Sequence, residues 1–461
     1  MAFYYDKLPK LTLFIVYTAF SVFLFCKVFA TSNLVIDEEF HLRQGLNYCN
    51  GDFTVWDPKI TTLPGLYIVS TLLFLPFNLC NAFTLRLTSL LASIINVWFI
   101  YKIRKLVTVK AKNKDWKLAF ETFIISTLPP MYFFAHLYYT DIISITAVLG
   151  LVLFNMRNEH NIAALFGLAS VLMRQTNIVW VGMAFGMTVI DKFCIQTLPF
   201  IKDADKTGKI DHLYTLQDII AVAGFYLKRF YLIPKQLKLL AFYLVGYLLV
   251  ILAFIGFVLW NGSIVVGDKT AHTAALHLPQ ILYFSLFTLV FGISMVLTHL
   301  ERTIKWACKK WYIVAIGTVA MAIIVNFNTI VHPYLLADNR HYTFYVWNKF
   351  YGKYAFARYA IIPVYALALI SLYHAINNKS AGFKLIFSIC AVAAIAFQQL
   401  VEVRYFIIPF LLIRLNTSQI KCKNLVVEFF SYTLINAFVF LTFFRKEIYW
   451  SDFGEVQRLI W

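Results

Sequence analysis

The stretch LKLLAFYLVGYLLVILAFIGFVLW occupies residues 237–260 and carries a single charged side chain, Lys238. About 20 consecutive apolar residues are enough for a helix to cross the hydrocarbon core of a bilayer. Comparable apolar runs lie near 11–30, 82–101, 118–136, 142–156, 278–299, 311–331, 354–375, 382–400 and 424–444, and shorter ones near 161–173, 177–190 and 405–413. The sequence therefore predicts an all-α polytopic membrane protein with about 12–14 transmembrane helices.

The composition of the whole chain indicates the same class. Of its 461 residues, 61% are hydrophobic and only 14% are charged, whereas a soluble domain has roughly 45–50% apolar and about 25% charged residues. A formal net charge of +18 would suggest nucleic acid in a soluble protein. In a membrane protein it indicates basic loops at the cytosolic surface. We expect membrane lipids as partners and no nucleic acid.

The cysteines and potential metal ligands form no recognisable motif. The 7 cysteines are scattered through the chain without a C-x-x-C pair or a spacing typical of metal sites. We therefore predict neither a disulfide framework nor a zinc site. Asp37 and His41 are spaced for one helical face, but two ligands do not make a metal site. We expect no bound metal and no cofactor.

The basic loops orient the predicted spans. Residues 102–117 are dense in Lys and Arg, and the positive-inside rule places such a short loop in the cytosol. This requires that 64–80 does not cross the membrane, so we predict an interfacial helix within a lumenal catalytic loop at 32–80. Residues 191–236 then form a cytosolic insertion in a single membrane domain that covers 1–461. Within that insertion, Asp203 and Asp205 imitate a metal-diphosphate motif, but we interpret them as a solvated charge run.

This topology places the unusual polar segments at one membrane surface. They are 37–57, 138–141, 174–177, 261–277, 336–347 and 402–405. Charged groups are costly inside hydrocarbon, so they collect where a polar cavity receives them. The sequence therefore predicts one lumenal site built from distant parts of the chain.

The first lumenal loop begins with three consecutive acids, Asp37, Glu38 and Glu39, followed by Phe40 and His41. An acid at this position suits removal of a proton from a hydroxyl group. The alternative is a solvated helix start, with Asp37 as the cap and the glutamates complementing the helix dipole.

The cationic residues of the other segments have two interpretations. Arg340, Arg404 and Arg174 present donors that match phosphate oxygens, and Lys269 could meet a phosphate as a point charge. The alternatives are an aromatic belt with a snorkelling Arg at 335–347, a structural pair between Arg404 and Glu402, and a simple turn around Lys269.

Longer strings resemble one known family, the endoplasmic-reticulum alpha-1,2-glucosyltransferases that add the third, terminal glucose to the lipid-linked oligosaccharide used in N-glycosylation. The third acid, Glu39, occupies a position that looks variable in this family. The resemblance covers nearly the whole chain and is carried by DEEFH (37–41), WDPKITTLPGLY (56–67), YYTD (138–141), RQTN (174–177), NG (261–262), VVGD (265–268), His277, LLADNRHYTFYVW (335–347) and RYF (404–406).

The resemblance implies a GT-C-type glycosyltransferase in the endoplasmic-reticulum membrane, with its active site facing the lumen. It implies dolichyl-phosphate-glucose as the donor and, as the acceptor, a dolichyl-diphosphate oligosaccharide that carries two glucoses. It also implies inversion, from a beta-linked donor to an alpha-linked product, with an acid of the first lumenal loop as the base.

On this basis we assign roles to individual residues. Asp37 is the expected base, with Glu38 the close second. Arg340, Arg404 and Lys269 are the expected donor-phosphate ligands. The expected substrate contacts are His41, Trp56, Asp57, Tyr138, Asp141, Arg174 and His341.

Two other classes remain open at this point. A lumenal mannosyltransferase of the same fold would differ only in its donor, dolichyl-phosphate-mannose. A non-catalytic transporter would more naturally have ionisable residues midway along broken helices and an internal repeat, and the sequence shows neither. A channel-modulating role is not addressed by any motif.

Overall fold

The computed structural model describes residues 8–32, 34–108, 115–202, 214–269, 274–417, 420–450 and 454–461, and most of them lie in helices. The first ten α-helices are α1 Leu8–Thr31, α2 Glu38–Cys49, α3 Gly65–Phe74, α4 Ala82–Thr108, α5 Asp115–Ser126, α6 Pro129–Phe134, α7 Thr140–Met156, α8 His160–Met173, α9 Ile178–Ile201 and α10 Leu216–Lys228. The remaining α-helices are α11 Ile233–Asn261, α12 Pro279–Phe291, α13 Ile293–Lys309, α14 Trp311–Asn328, α15 Pro333–Ala337, α16 Tyr342–Val346, α17 Ala357–Ala360, α18 Ile362–Ala375, α19 Ala381–Ile395, α20 Ile407–Asn416 and α21 Cys422–Arg445.

Short elements connect these helices. Single 3-10 turns lie at Leu75–Phe77, Gln175–Asn177, Phe230–Leu232 and Val403–Phe406, and a π-helix lies at Trp347–Tyr351. Two short strands, β1 Glu447–Ile448 and β2 Gln457–Arg458, pair antiparallel after the last helix. Asp203 and Asp205, which imitate a metal-diphosphate motif in the sequence, lie outside the described residues.

The prediction of an all-α polytopic membrane protein is confirmed. Within the described part of the chain, seven helices are long and apolar enough to cross a membrane: Leu8–Thr31, Ala82–Thr108, Gln175–Ile201, Phe230–Asn261, Trp311–Asn328, Ala357–Ala375 and Cys422–Arg445. Shorter apolar helices accompany them at Gly65–Phe77, Thr140–Met156, His160–Met173 and Ala381–Ile395. The total of about 12–14 crossings stays a prediction.

Two of the expected spans are broken. Near 118–136, α5 ends at Ser126 and α6 begins at Pro129, because consecutive prolines lack the N–H groups needed to continue a helix. The run expected near 278–299 consists of two helices: α12 and α13 meet at Gly292 and are bent by 102°. A side chain at Gly292 would collide with Met295 and Thr288, so only glycine allows this close turn.

The segment 64–80 forms no long span. Its α-helix, α3, has 10 residues and continues into the 3-10 turn Leu75–Phe77. At about 1.5 Å per residue, such a helix is shorter than the roughly 30 Å hydrocarbon core. An interfacial position for this helix remains a prediction, since its length alone does not place it.

One cysteine pair contradicts the expectation of no disulfide framework. Cys49 ends α2, and Cys80 lies just before α4. The two are disulfide-bonded with a Cα–Cα distance of 6.2 Å. Because α2 and α3 pack side by side, residues separated by 31 positions meet. A sequence spacing of that size contains no signal for the pairing. Cys26, Cys194, Cys308, Cys390 and Cys422 are free.

Helix α4 connects two polar networks at opposite ends of the bundle. Arg86 lies near its start and Arg104 near its end, roughly 27 Å apart at the helical rise of about 1.5 Å per residue. Arg104 donates to both carboxylate oxygens of Glu121 at 3.0 Å. Arg414 donates to Glu121 at 2.7 Å and to Glu428 at 2.9 Å. This buried network pairs its two cations with two anions and fixes four helices at the end away from Arg86.

Candidate active site

Asp37 lies immediately before helix α2. Its backbone carbonyl accepts hydrogen bonds from the N–H groups of Phe40 and His41, which begin the helix. Its side chain makes no capping hydrogen bond among the described residues and is 51% exposed. The alternative in which Asp37 only caps the helix is therefore not supported, and its carboxylate is accessible to a ligand.

Arg404 lies among three carboxylates from separate parts of the chain. Its Nη2 is 2.8 Å from Glu402 Oε2 and 4.0 Å from Asp37 Oδ2, and its Nη1 is 3.6 Å from Asp141 Oδ2. The Arg404 side chain is only 9% exposed. Burial lowers its pKa, but the carboxylates, Glu402 first, raise it well above the ordinary value. Arg404 is therefore a permanent cation that brings the three acids together.

Asp141 connects Arg404 to a second arginine. Arg174 Nη2 lies 3.0 Å from Asp141 Oδ1, and Arg174 Nε donates to the Thr140 hydroxyl at 3.2 Å. Asp141 is in the first turn of α7, where the helix dipole stabilises negative charge. Arg174 has an extended backbone at the end of α8, which directs the chain back toward α7. The structure thus brings together Asp37, Asp141, Arg174 and Arg404, as the sequence predicted.

Glu402 makes the shortest ion pair with Arg404. Burial raises the pKa of the Glu402 carboxyl, but the hydrogen bond and charge of Arg404, together with the charges of His341 and Arg174, lower it below its ordinary value overall. Glu402 is therefore an anion that holds Arg404, which is the pairing considered as the structural alternative.

His41 lies one helical turn after Asp37. Its Nδ1 is 2.6 Å from the Tyr67 hydroxyl, and its ring meets the Tyr139 ring edge-on at 5.7 Å. Burial and the nearby Arg404 and Arg174 charges lower the pKa of His41 to about 3. His41 is therefore neutral near pH 7 and serves as a hydrogen-bonding group rather than a cation.

Glu38 is in a different environment from Asp37. It is fully buried, and its two oxygens accept hydrogen bonds from Arg86 at 2.7 and 2.6 Å. The same carboxylate accepts the Tyr138 N–H at 2.7 Å, while Arg86 also donates to the Ser32 carbonyl at 2.9 Å. All of these contacts are structural, so the assignment of Glu38 as second candidate for the base is not supported by its position.

Tyr138 is also a structural residue. It is fully buried, and its hydroxyl lies 2.5 Å from Ser70 Oγ. A Cβ atom at Gly45 would lie only 2.9 Å from the same hydroxyl. Tyr138 therefore fills the space between α2 and α3, and its burial argues against the predicted sugar contact.

Trp56 and Asp57 form the turn that follows α2. The Trp56 Nε1 donates to the Ile60 carbonyl at 3.1 Å. The Asp57 carboxylate accepts the Lys59 N–H at 3.0 Å and lies 3.7 Å from Arg43. Both side chains are partly buried. Asp57 contacts α2 through Arg43, and the Trp56 ring meets the Tyr67 ring of α3 edge-on at 6.0 Å.

Two of the predicted phosphate ligands are held by other groups. Lys269 Nζ donates to the Asn261 carbonyl at 2.5 Å, so it completes the end of α11. Arg340 makes a bidentate pair with Asp338, with both N···O distances 2.8 Å, and stacks on the Trp450 ring at 4.0 Å. The next residue, His341, has its Nδ1 3.1 Å from the Trp461 carbonyl oxygen.

Sequence reasoning missed Arg86 and Gln457. Arg86 is a charged residue inside the predicted span 82–101, which was a usable signal because such residues are seldom unpaired. Gln457 accepts the Ile36 N–H at 3.2 Å, and nothing in its sequence context indicates that contact. Within the described residues, no group of three or more His, Cys, Asp or Glu side chains is placed to hold a metal ion. The expectation of no metal stays a prediction.

The fold and the site define a multi-pass, all-α membrane protein whose charged site lies at one end of its helix bundle. The chain belongs to the DIE2/ALG10 family, whose sequence profile matches residues 31–415. It is 40% identical to a Drosophila melanogaster protein over 98% of this chain and 99% of the relative. It is 33% identical to proteins of Mus musculus and Homo sapiens, over 92% of this chain and 93% of each relative.

All three relatives bear the name Dol-P-Glc:Glc(2)Man(9)GlcNAc(2)-PP-Dol alpha-1,2-glucosyltransferase. No solved structure matches the chain.

Proposed function

We propose that this protein is a GT-C-type glycosyltransferase that transfers glucose from dolichyl-phosphate-glucose to the dolichyl-diphosphate oligosaccharide that already carries two glucoses. The product is the terminal alpha-1,2-linked glucose. The names of the full-length relatives support this substrate pair. The observation that carries the proposal is the exposed Asp37 carboxylate beside the buried Arg404 guanidinium, because the reaction needs both a base and a cation.

Asp37 is the proposed base. It removes the proton from the 2-hydroxyl of the acceptor glucose as that oxygen attacks C1 of the donor glucose. The C1–O bond to phosphate breaks, dolichyl phosphate leaves with the bonding electrons, and the proton stays on Asp37. Attack on the face opposite the leaving group converts the beta linkage to an alpha linkage. Phosphate is a good leaving group, so no general acid is needed. Base catalysis typically contributes about 10²–10⁴-fold.

Arg404 is the proposed main ligand for the donor phosphate, with Arg174 as its neighbour. Arg174 is 17% exposed, Arg404 is 9% exposed, and both pair with Asp141. An incoming phosphate is proposed to take over part of the pairing now made by carboxylates. The contacts of Arg340 and Lys269 favour supporting roles: Arg340 holds Asp338, and Lys269 holds the end of α11. Developing negative charge on the leaving phosphate is stabilised by such fixed cations.

Four of the other predicted contacts are proposed to bind the sugars. Neutral His41, fixed by Tyr67, is proposed to hydrogen-bond a sugar hydroxyl. His341 follows Arg340 and is proposed to line the same site. Trp56 and Asp57 belong to the 32–80 loop and are proposed to contact the acceptor oligosaccharide at its edge.

The proposed location is the endoplasmic-reticulum membrane with the site facing the lumen. Both substrates keep polyprenyl tails in the bilayer, so a site at the end of a helix bundle meets sugar and lipid together. The disulfide between Cys49 and Cys80 supports an oxidising compartment for the 32–80 loop. The 191–236 segment is proposed to lie in the cytosol.

Purified full-length protein in lipid nanodiscs, given the diglucosylated acceptor, tests the activity. Radiolabelled dolichyl-phosphate-glucose should give an acceptor with one more hexose, released by an alpha-1,2-specific glucosidase. Dolichyl-phosphate-mannose should give none. Label transferred from the mannose donor instead would identify a mannosyltransferase, and no transfer from either donor would favour a non-catalytic membrane protein.

A further inference from the structure

Gln457 lies after the last helix, in β2, and contacts the backbone that precedes Asp37. Gln457 Oε1 accepts a hydrogen bond from the Ile36 N–H at 3.2 Å, although the two residues are 421 positions apart. Gln457 is 1% exposed, so water does not compete for this contact. A residue in β2 therefore satisfies the backbone directly before the proposed base.

Ile36 has an unusual backbone conformation. Its φ is +50°, in the left-handed region that β-branched residues rarely adopt. Such a conformation persists only when surrounding contacts fix it. The Ile36 side chain is itself buried, and its N–H has Gln457 as the acceptor. If that acceptor is lost, the buried Ile36 N–H has no partner. The left-handed conformation then loses a stabilising contact, and a negative φ at Ile36 becomes more favourable.

The described residues after the last helix, 447–450 and 454–461, are held firmly enough to provide this constraint. Strands β1 and β2 pair with each other. Beyond them, the Ile460 N–H donates to the Arg340 carbonyl at 2.8 Å, and the Tyr342 N–H donates to the Ile460 carbonyl at 3.1 Å. Trp450 Nε1 donates to Asn339 at 2.7 Å. The same segment thus contacts both the 338–342 region and the start of the Asp37 helix.

We infer that Gln457 is a positioning residue for Asp37: its hydrogen bond to Ile36 holds the left-handed turn from which the Asp37 carboxylate is directed toward Arg404. A change of φ at Ile36 rotates the chain at Asp37 and moves its carboxylate relative to the guanidinium, now 4.0 Å away. The inference rests on the proposed function, since Asp37 matters only if it is the base. Gln457 itself touches neither substrate.

The removal variant is Gln457→Met, which keeps the length of the side chain but has no acceptor oxygen. We expect kcat to fall about 10- to 100-fold, because a shift of roughly 1 Å in a reacting group costs that much. The KM values for donor and acceptor should stay within about twofold, since the binding residues are unchanged. The matched control is Gln457→Glu, whose Oε still accepts the Ile36 N–H in either protonation state and should retain most of the activity.

A double-mutant cycle separates positioning from general stability. Glycine adopts positive φ freely, so in an Ile36→Gly background the further change Gln457→Met should reduce kcat by less than about threefold. Equal effects of Gln457→Met in both backgrounds would overturn the inference, as would a Gln457→Met variant with wild-type kcat. The cycle also remains informative if Ile36→Gly alone is slow. What is compared is the factor by which Gln457→Met reduces kcat in each background.

Hydrogen exchange provides a readout that does not depend on activity. The peptide that contains Ile36 should exchange faster in Gln457→Met than in the wild type, while peptides from α4 stay unchanged. Unchanged exchange at Ile36 would overturn the positioning role. If wild-type protein transfers no glucose while exchange at Ile36 still depends on Gln457, the failure lies in the proposed function and not in the contact.

Discussion

The Arg404 guanidinium lies 4.0 Å from the Asp37 carboxylate, although the two residues are at opposite ends of the sequence. Arg404 is also held by Glu402 at 2.8 Å and Asp141 at 3.6 Å, so its position does not depend on Asp37. Asp37 is thereby left with an exposed carboxylate beside a fixed positive charge. This is the arrangement that a base and a leaving phosphate require in the same small volume.

Replacing Arg404 should reduce catalysis strongly. Arg404→Lys keeps a charge but loses the planar fork that reaches Glu402, Asp141 and Asp37 together. We expect kcat to fall about 100-fold, in line with the loss of a fixed charge-stabilising group. Steady-state transfer from dolichyl-phosphate-glucose measures this. The control is Arg43→Lys on the exposed side of α2, which should leave kcat unchanged. Wild-type kcat in Arg404→Lys would show that Arg404 only supports the fold.

The buried pair of Glu38 and Arg86 should contribute mainly to the stability of the fold. Removing one partner of a buried ion pair leaves an uncompensated charge and costs about 3–5 kcal/mol. We therefore expect Arg86→Ala to lower the thermal unfolding midpoint markedly, with activity lost in parallel. Thermal unfolding in detergent measures this. Glu38→Gln should behave similarly but more mildly. A Glu38→Gln variant with wild-type stability and no activity would instead make Glu38 the base.

His41 should make the protein less stable in acid. Burial and the charges of Arg404 and Arg174 lower its pKa to about 3 in the folded state, against about 6.5 in the unfolded chain. Between these values the unfolded state binds a proton that the folded state does not, so stability falls as the pH drops below about 6.5, by at most about 1.4 kcal/mol per pH unit. Above that pH, His41 has no effect on the pH dependence.

The comparison of wild type with His41→Gln isolates the contribution of His41 to the pH dependence of stability. Glutamine can still hydrogen-bond the Tyr67 hydroxyl but does not titrate. Between pH 7 and pH 5, the unfolding midpoint of the wild type should fall more than that of His41→Gln. Parallel decreases in the two proteins would show that His41 is protonated as easily in the folded state as in the unfolded one.

The disulfide should contribute to the stability of the 32–80 loop. Peptide mapping without reduction should recover Cys49 linked to Cys80. Closing a loop with a sequence separation of 31 stabilises a protein by about 3–4 kcal/mol in the chain-entropy treatment. Cys49→Ser should therefore lower the unfolding midpoint as much as the double variant with Cys80→Ser. Cys26→Ser is the matched control, and equal effects of all three would argue against the bond.

The sequence was most informative about charged residues at the ends of membrane helices. Asp141, Arg174 and Arg404 could be predicted to converge because ionisable groups avoid hydrocarbon and the predicted topology placed these three segments at the same membrane surface. The all-α fold followed from the apolar runs for the same reason. Asp37 was separable from Glu38 only in the structure, since adjacent residues of a helix start point in different directions.

The missed features depend on tertiary contacts that have no local signature. The Cys49–Cys80 bond requires that α2 and α3 pack side by side. The bend at Gly292 depends on the neighbouring Met295 and Thr288, which no hydropathy pattern reports. The contact of Gln457 with Ile36 joins residues 421 positions apart, and it requires a left-handed isoleucine that propensity argues against.

Glucose transfer by Asp37→Asn, measured beside Glu39→Gln, tests whether the exposed acid is the base. Both changes convert a carboxylate to an amide in the same short stretch, but Glu39 pairs with the exposed Arg43 at 2.7 Å, whereas Asp37 lies 4.0 Å from Arg404. We predict that folded Asp37→Asn loses at least about 100-fold in kcat while Glu39→Gln keeps wild-type activity. Near-wild-type transfer by Asp37→Asn would contradict the proposed mechanism.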